Sequence, residues 1–269
     1  MNRLPLNVKN TNELVLKPEG DANRFTLDVK EVTNPLTIKL QKGLEAYILI
    51  INIDKEVDLT FDVDEGASLT LSLLAENSAK SMKITANMGY STKFAGYLAD
   101  FFKGDCRSQI TVNINGENAS CDWHLASLAN QNSKKEFDVS VFHNAKNTFA
   151  TMDNYGVTMD EAKLVFSGIS KIQKGSSASK THQNAKIMVF DEKSNGVAKP
   201  ILKIDENDIE ASHAAIVGKI SDEHIFYLTS RGLTEEEAKQ LITYGYLKPI
   251  LKGFEDEEIK NKIERQIEG

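Results

Sequence analysis

Short segments in which apolar and polar residues alternate make up most of the chain before residue 180. Three of them are FTLDV at 25–29, LTFDV at 59–63 and ITVNI at 110–114. Alternation with a period of two is typical of a β-strand with one buried face. The segment 47–53 is apolar except for Asn52, which predicts a strand buried on both faces. The pattern therefore predicts a mainly β chain of many short strands.

Small residues and asparagines recur where these segments end. Four such corners are EGAS at 65–68, GENA at 116–119, HNAK at 143–146 and GSSA at 175–178, and Asn77 marks a further turn. A coil that returns to the same corner on every turn needs residues that tolerate the left-handed backbone conformation. The corners favour a β-solenoid, although the strand pattern alone also fits a sandwich or a barrel.

Near residue 219 the apolar period changes to that of a helix. Ser221 is placed to cap a first helix that ends at Gly232, and Thr234 with Glu237 predicts a capping box for a second helix. A third helix is expected to begin near Glu255. The apolar positions predicted to be buried are Ile225, Phe226, Leu228, Ala238, Leu241, Ile242, Tyr246, Ile259, Ile263 and Ile267. Helices this short must pack on the β body or on a partner to be stable.

The length and the change of period set the expected organisation. A chain of 269 residues with 41% hydrophobic residues can form one large domain with a small appendage. We expect an N-terminal arm at 1–24, a β core at 25–218 and a helical subdomain at 219–269.

Charge and hydropathy exclude two classes of partner. The net charge is −7, whereas a nucleic-acid-binding face would need to be basic. The N-terminus lacks the apolar region of a signal peptide, and the longest apolar run, 46–51, is too short to cross a bilayer. We therefore expect a cytoplasmic protein with no nucleic-acid or membrane partner.

No catalytic motif is apparent. The segment KGSS at 174–177 lacks the upstream glycine of a phosphate-binding loop, so the chain is not expected to hydrolyse ATP or to be an enzyme.

Cys121 and His124 lie three residues apart on a predicted strand, where their side chains point to opposite faces. Cys121 is therefore expected in the core. Cys106 follows a Gly-Asp pair and fits either a turn or a buried thiol, so its role stays open.

Among the histidines, His213 differs from the others. His143 and His182 fit corners, and His224 fits a solvated position on the first tail helix. His213 lies in a strand of small residues, ASHAAIVG at 211–218, where another backbone can approach closely. An imidazole framed by small residues is accessible to iron or to a group of a partner. The alternative is a hydrogen-bonded histidine of the core.

Four blocks in the last third of the chain carry a family resemblance. They are THQNAKIMVFD at 181–191, KPILKI at 199–204, EASHAAIVGKI at 210–220 and FYLTSRGLTEEEA at 226–238. In this order they resemble the C-terminal signature of the SufB/SufD family, scaffold proteins of iron–sulfur cluster assembly. The resemblance implies a right-handed parallel β-helix with a small C-terminal helical subdomain. It also implies that two such subunits pair through their C-terminal strands and that a SufC-type ATPase binds the helical tails.

The resemblance further implies which ligands are present. SufB-type members carry a cysteine at the position of Asn184 and a glutamate at that of Ala214, and this chain has neither. It keeps the histidine that SufD-type members share, as His213, and FYLTSRG at 226–232 is also SufD-like. The expected role is that of a scaffold that holds no cofactor alone. His213 would be its iron or cluster ligand, and an iron–sulfur cluster would form transiently at a subunit interface.

Three hypotheses remain open. In the first, the chain pairs with a SufB-type subunit that supplies the thiolate and the carboxylate. In the second, it forms a minimal homodimer with SufC, pairing through the strands near 201–204 and 213–217. In the third, it is a carbohydrate-active β-helix enzyme, which would need clustered acids on exposed strands. The acidic residues of this sequence are scattered and show no such pair.

Overall fold

Two parallel sheets face each other along the length of the molecule. The computed structural model describes residues 3–18, 23–76 and 81–268. In this part of the chain, sheet A has nine strands and sheet B has eight, and strands alternate between the two sheets along the sequence. Each strand pairs in parallel with the strand two places further along the chain. This arrangement is a β-solenoid, which confirms the predicted fold class and excludes the sandwich and the barrel.

Numbered along the chain, the strands fall into two sets. Sheet A consists of β1 (Leu4–Pro5), β3 (Arg24–Asp28), β5 (Glu45–Ile51), β7 (Ser68–Ala75), β9 (Lys93–Asp100), β11 (Ser120–Ala129), β13 (Phe149–Thr158), β15 (Ser179–Val189) and β17 (Ile209–Lys219). Sheet B consists of β2 (Glu13–Leu16), β4 (Leu36–Leu40), β6 (Val57–Val63), β8 (Met82–Met88), β10 (Cys106–Ile114), β12 (Lys134–His143), β14 (Lys163–Ile172) and β16 (Asn195–Ile204). Residues 1–2 and 19–22 of the predicted arm, and the turn predicted at Asn77, lie outside the described residues.

The predicted corners are corners in the structure. Gly66 and Gly175 have φ values of 68° and 93°, and Asn118 and Asn147 have 62° and 53°. Asparagine and glycine tolerate this left-handed region better than other residues. Asn147 Nδ2 donates to Asn118 Oδ1 on the preceding turn, so the asparagine side chains also bond along the solenoid.

The core lies between the sheets. Alternate residues of each strand point inward, and the parallel register places them above one another, as Leu59 lies above Leu36. The largest buried side chains include Phe61, Trp123 and Phe166. Burying one such side chain contributes about 1.5–3 kcal/mol, so even short strands are held firmly when they stack.

The helical tail begins directly after β17. It consists of α1 (Asp222–Thr229), α2 (Glu235–Leu247), a 3-10 turn (Lys248–Gly253) and α3 (Glu257–Glu268). Ser221 Oγ accepts a hydrogen bond from the His224 N–H, and Thr234 with Glu237 forms a capping box. Both predicted helix starts are therefore confirmed. No helix in the described part of the chain is long and apolar enough to cross a membrane.

The tail folds back over the outer face of sheet A and forms a second core. From the tail, Leu247, Ile250, Phe254, Ile263 and Ile267 pack against Leu49, Leu74, Ala126 and Val157 of the sheet. This cover explains why β5 is buried on both faces, as its sequence predicted. Ion pairs add to the contact: Arg3 with Asp256 at 2.9 Å, and Arg24 with Glu255 at 2.5 Å.

Two tail residues predicted to be buried are exposed instead. Phe226 is 73% exposed and Leu241 is 50% exposed. The buried face of α2 is formed by Ala238, Thr243 and Leu247, and no residue of α1 is fully buried. The predictions were wrong because the periodicity of a short helix does not say which of its apolar residues face the protein.

Candidate functional site at the open end of the solenoid

The two sheets end in β16 and β17, and nothing in the described chain covers them. Each of these strands has a neighbour on one side only, so the backbone groups along its other edge have no strand partner. Residues 212–219 of β17 are all exposed. Ile204, Ile216 and Val217 are 37%, 55% and 44% exposed. The chain thus ends its solenoid in a long, uncovered and partly apolar edge.

His213 lies at the mouth of the space between the sheets. It is in register with Gln183 of β15, which is only 3% exposed and belongs to the inward-facing row of that strand. Parallel register places paired residues on the same face, so His213 belongs to the inward-facing row of β17. No further strand follows, and His213 is exposed. The alternative of a buried, hydrogen-bonded core histidine is therefore wrong.

Asn184 and Ala214 are neighbours on the outward row beside His213. They are paired in register between β15 and β17, and Asn184 Nδ2 donates to Asp153 Oδ1 at 2.9 Å. The two positions that the resemblance matches to a SufB-type cysteine and glutamate therefore lie side by side at this edge. Neither an amide that is already bonded nor a methyl group replaces a thiolate or a carboxylate as a ligand.

Neither cysteine reaches the open end. Cys106 begins β10 and Cys121 lies in β11, and both side chains are in the core. Burial raises the pKa of each thiol above its ordinary value, so both are protonated near neutral pH. His124 points outward, with Nε2 2.9 Å from Asp122 Oδ2. As predicted from their spacing, Cys121 and His124 do not converge.

The remaining histidines occupy different environments. His182 was predicted at a corner but lies within β15, where its Nδ1 is 2.8 Å from Ser212 Oγ. The corner prediction was wrong because His182 belongs to the outward row of a strand longer than the pattern suggested. His143 does lie next to a corner, fully buried, with Nδ1 2.7 Å from Thr148 Oγ1. Burial lowers the pKa of His143 to about 4.

The interior becomes polar toward the open end. Near β14 and β15, Thr181 Oγ1 donates to Ser170 Oγ at 3.0 Å, and Gln183 Nε2 donates to the same oxygen at 2.6 Å. Gln183 Nε2 also reaches the Ile201 carbonyl of β16 at 3.2 Å. The Gln183 side chain therefore crosses the interior from sheet A to sheet B one strand before the end. Directed hydrogen bonds thus replace part of the aliphatic packing in this layer.

Sequence reasoning missed a buried ion pair in the middle of the solenoid. Lys135 Nζ lies 3.0 Å from Asp100 Oδ2 and 2.8 Å from the Phe102 carbonyl, and neither charged side chain is exposed by more than 1%. Ser127 Oγ donates to the same carboxylate oxygen at 2.7 Å. The sequence did contain a sign of it. Lys135 and Phe137 are two residues apart in β12, so their side chains point to the same, inward face.

The tail adds a groove next to the open end. It has a volume of about 450 Å³ and lies between α1, α2 and the residues that follow β15 and β17. Its lining combines apolar and charged residues: Phe190, Ile220, Ile225, Phe226, Asp191, Glu192, Asp222, Glu235, Lys219 and Lys239. Lys219 pairs with Glu192, and Lys239 pairs with Asp191 and Glu235. His224, on α1, is exposed as expected.

The described residues at the open end present few groups that could bind iron. No group of three or more His, Cys, Asp or Glu side chains in the described residues is arranged to hold a metal ion. Iron–sulfur clusters are usually held by several thiolates. One imidazole at the mouth, with both thiols buried elsewhere, does not meet that need within a single chain.

Comparison with known proteins finds one protein family, that of SufB and SufD. The family model described as "SUF system FeS cluster assembly, SufBD core domain" matches residues 52–246. The iron–sulfur cluster assembly protein SufD of Bacillus subtilis is 33% identical over 183 residues, which are 68% of this chain and 42% of that protein. SufB of the same organism is 26% identical over 204 residues, 75% of this chain and 41% of that protein. An iron–sulfur cluster assembly SufBD family protein of Mycobacterium tuberculosis is 28% identical over 183 residues, 65% of this chain and 22% of that protein.

The chain spans less than half the length of these curated relatives. The matched region nevertheless runs from before β6 to near the end of α2, and so includes the whole open end. The ordered sequence blocks, the solenoid fold and the family model agree: the chain belongs to the SufBD core family of iron–sulfur cluster assembly proteins.

Proposed function

We propose that the chain is a SufD-like scaffold subunit that pairs through its open end with a SufB-type subunit. The observation that carries this proposal is the uncovered pair of strands β16 and β17, with His213 at the mouth between them. The greater identity to SufD than to SufB of the same organism supports the SufD-like part.

The physical reason for pairing is that a solenoid needs a cap. A repeat array buries its core only where a neighbour or a polar cap covers the last repeat. Here the last strands are long, and Ile204, Ile216 and Val217 remain exposed. Long, uncovered and apolar edges are ready templates for pairing with another chain. A subunit with a matching edge would bury these side chains and bond the free backbone groups.

The proposed chemistry divides the ligands between subunits. His213 would offer one imidazole nitrogen to the iron of a nascent cluster, which is cargo rather than a resident cofactor. The thiolate and the carboxylate would come from the SufB-type partner, since Asn184 and Ala214 stand at the corresponding positions here. Cys106 and Cys121 do not take part, because their thiols are buried and protonated. The chain itself is proposed to catalyse no reaction.

A SufC-type ATPase is proposed to dock on the helical tail. Phe226 and Tyr227 of α1 are 73% and 56% exposed, and Phe226 lines the groove next to the open end. Exposed aromatic residues beside a groove are typical anchors of protein interfaces. ATP binding could then shift the population of two arrangements of the paired scaffold.

Two alternatives make different predictions. A homodimer with SufC and no SufB-type subunit would pair through the same edge, and the family architecture permits it. A carbohydrate-active enzyme would turn over polysaccharides, and its discriminating assay is release of reducing sugar. One acid of the last strand, Glu210, is paired with Lys180 and is therefore not available as a free catalytic carboxylate.

The proposal is tested by reconstitution with the SufB-type and SufC-type proteins of the same genome. The size of the mixture is measured first, and a stable complex with the SufB-type subunit is expected. His213→Ala should leave the thermal melting temperature and the complex unchanged but lower the yield of cluster. An unchanged yield would remove His213 from the site. A chain that stays dimeric and ignores the SufB-type subunit would favour the homodimer.

A further inference from the structure

The buried ion pair of Lys135 with Asp100 joins the two sheets in the middle of the solenoid. Asp100 is the last residue of β9 in sheet A, and Lys135 is the second residue of β12 in sheet B. Neither side chain is exposed by more than 1%. Two opposite charges that are removed from water are costly unless their remaining polar atoms are also satisfied by hydrogen bonds. One polar atom of this pair is not satisfied.

The two oxygens of the Asp100 carboxylate have different surroundings. Oδ2 accepts from three donors: Lys135 Nζ at 3.0 Å, Ser127 Oγ at 2.7 Å and the Cys106 thiol at 3.9 Å. Oδ1 is buried and has no hydrogen-bond partner among the described residues. Buried polar atoms in native proteins almost always have a partner, and a charged one that lacks it is destabilising. The carboxylate is thus satisfied at one oxygen only.

The Lys135 ammonium is held in place by a second acceptor. Its Nζ donates to the Phe102 carbonyl at 2.8 Å and lies 4.3 Å from the centre of the Phe102 ring. A cavity of about 10 Å³ is lined by Asp100 together with Leu98 and Phe137. One water molecule needs about this much space. An amine and a carboxyl group therefore meet in a dry, mostly apolar site, with room beside them for one small molecule.

We propose that Lys135 and Asp100 condense to an amide, which is a covalent cross-link between the two sheets. One proton passes from the ammonium to the carboxylate, which leaves a neutral amine and a carboxylic acid. Nζ then attacks Cγ, and the Ser127 hydroxyl and the Cys106 thiol stabilise the negative charge that develops on Oδ2. Oδ1 takes up two of the three ammonium protons in all and leaves as water when the Cγ–Oδ1 bond breaks. The amide nitrogen keeps the third proton, so the step needs no oxidant and no further reactant.

The product keeps the hydrogen bonds of the ion pair and removes its defect. The amide oxygen is Oδ2, which still accepts from Ser127, and the amide N–H still donates to the Phe102 carbonyl. The atom that leaves, Oδ1, is the one without a partner. A neutral amide also replaces two buried charges and so removes their desolvation cost. Because the fold holds both groups in one geometry, their effective concentration is far above that of free reactants.

The cross-link would staple the middle of the solenoid. It joins residues 35 positions apart and constrains the unfolded chain in the way that a disulfide does. Both cysteines of this chain are free, so no disulfide supplies that constraint. The reaction takes place once in each chain, turns over no substrate and does not depend on pairing at the open end.

The mass of the intact, full-length chain tests the proposal. The cross-linked chain is lighter than its sequence by one water molecule, and most molecules should be linked after the folded protein has been kept near neutral pH for several days. Trypsin does not cleave after an acylated lysine, so the segments 94–103 and 135–146 should be released as one branched peptide. Tandem mass spectrometry then locates the bond at Asp100 and Lys135. A chain of full mass after this treatment would overturn the proposal.

Three variants separate this bond from a loss of water elsewhere in the chain. Lys135→Arg keeps the charge and the donors, but its guanidinium stays protonated and does not attack, so the full mass is expected. Asp100→Leu combined with Lys135→Met replaces the pair by apolar side chains and gives the same control if the buried arginine prevents folding. Ser127→Ala removes one donor to Oδ2 and should slow cross-linking after refolding by roughly a hundredfold. A lighter mass in either of the first two variants, or an unchanged rate in Ser127→Ala, would contradict the proposed reaction.

Discussion

The two ends of the solenoid are built differently. At the first end, β1 has two residues and β2 has four, and Glu13 of β2 forms an ion pair with Lys39 Nζ at 2.7 Å. At the last end, β16 has ten residues and β17 has eleven. Short and charged edge strands are a common way to prevent further pairing, whereas long exposed ones invite it. The comparison teaches that the described first end offers only short edges for pairing, whereas the last end offers long ones.

The composition of the interior also differs between the two ends. Early turns are filled by aliphatic residues such as Leu36 and Ile38, whereas Ser170, Thr181 and Gln183 form a polar layer beneath β16 and β17. An aliphatic interior binds each turn strongly to the next. A polar layer with directed hydrogen bonds fixes its own geometry but adds less burial energy. The last strands are available for contacts outside the chain because nothing in the described residues covers their free edges.

The largest expected effect comes from closing the open end. Ala215 shares the inward row of β17 with His213, so Ala215→Lys would place a charge at the mouth of the interior. An inward-pointing charge on an edge strand blocks further pairing. Pairing with the SufB-type subunit should be lost by about a hundredfold or more, measured by light scattering after size exclusion. The matched control, Thr37→Lys on the outer face of β4, should pair normally. Normal pairing of Ala215→Lys would mean that the mouth is not covered by the partner.

A buried histidine at the end of β12 predicts that the protein loses stability in acid. His143 has a pKa of about 4 in the folded protein, against an ordinary value of 6.5. Between these pH values the unfolded chain binds the proton and the folded chain does not. The free energy of unfolding should therefore fall by up to about 3 kcal/mol as the pH drops from 6.5 to 4.

The His143→Leu variant should flatten that part of the pH profile, measured by denaturant unfolding at a series of pH values. His213→Ala, which removes an exposed histidine from the open end, is the control and should keep the wild-type slope. An equal slope in wild type and His143→Leu would assign the acid sensitivity to other groups.

The tail surface near the open end should matter for the ATPase but not for folding. Deleting the whole tail would expose the second core on sheet A, so point changes are preferable. Phe226→Ser with Tyr227→Ser should weaken binding of the SufC-type ATPase by roughly tenfold to a hundredfold. The melting temperature should stay within a few degrees of wild type, because neither side chain is buried. Calorimetric titration gives the affinity, and unchanged binding would move the docking site away from α1.

The smallest effect is expected at the first end of the solenoid. Leu4 of β1 is 50% exposed, so Leu4→Lys removes an exposed apolar group from an edge that is already short. Its free energy of unfolding should change by no more than about 0.5 kcal/mol. Pairing with a second subunit should be unaffected in the same scattering assay. A loss of pairing would show that the first end is also an interface, and the contrast between the ends would fail.

Much of this architecture could be predicted from the sequence. Alternation with a period of two gave the strands, asparagine and glycine gave the corners, and Ser221, Thr234 and Glu237 gave the helix starts. These signals are local, so one sequence suffices to find them. The family resemblance gave the parallel coil, which alternation could not separate from a sandwich.

The remaining features depend on contacts between distant segments. Periodicity could not say that α2 buries Thr243 and leaves Leu241 in solvent, because that depends on how the tail lies against sheet A. The ion pair of Lys135 with Asp100 joins a strand of sheet B to a strand of sheet A. The alternation within β12 indicates that Lys135 points inward, but it does not identify the partner on the other sheet. The exposure of His213 follows from β17 being the last strand, which is a property of the whole fold.

Hydrogen exchange of the backbone amides, with and without the SufB-type subunit, tests the central claim most directly. Amides of β16 and β17 should exchange rapidly in the isolated chain and become strongly protected in the complex, while those of β3 and β4 remain as they were. Protection confined to the first strands or to the tail, with β16 and β17 unchanged, would contradict the assignment of the open end as the pairing surface.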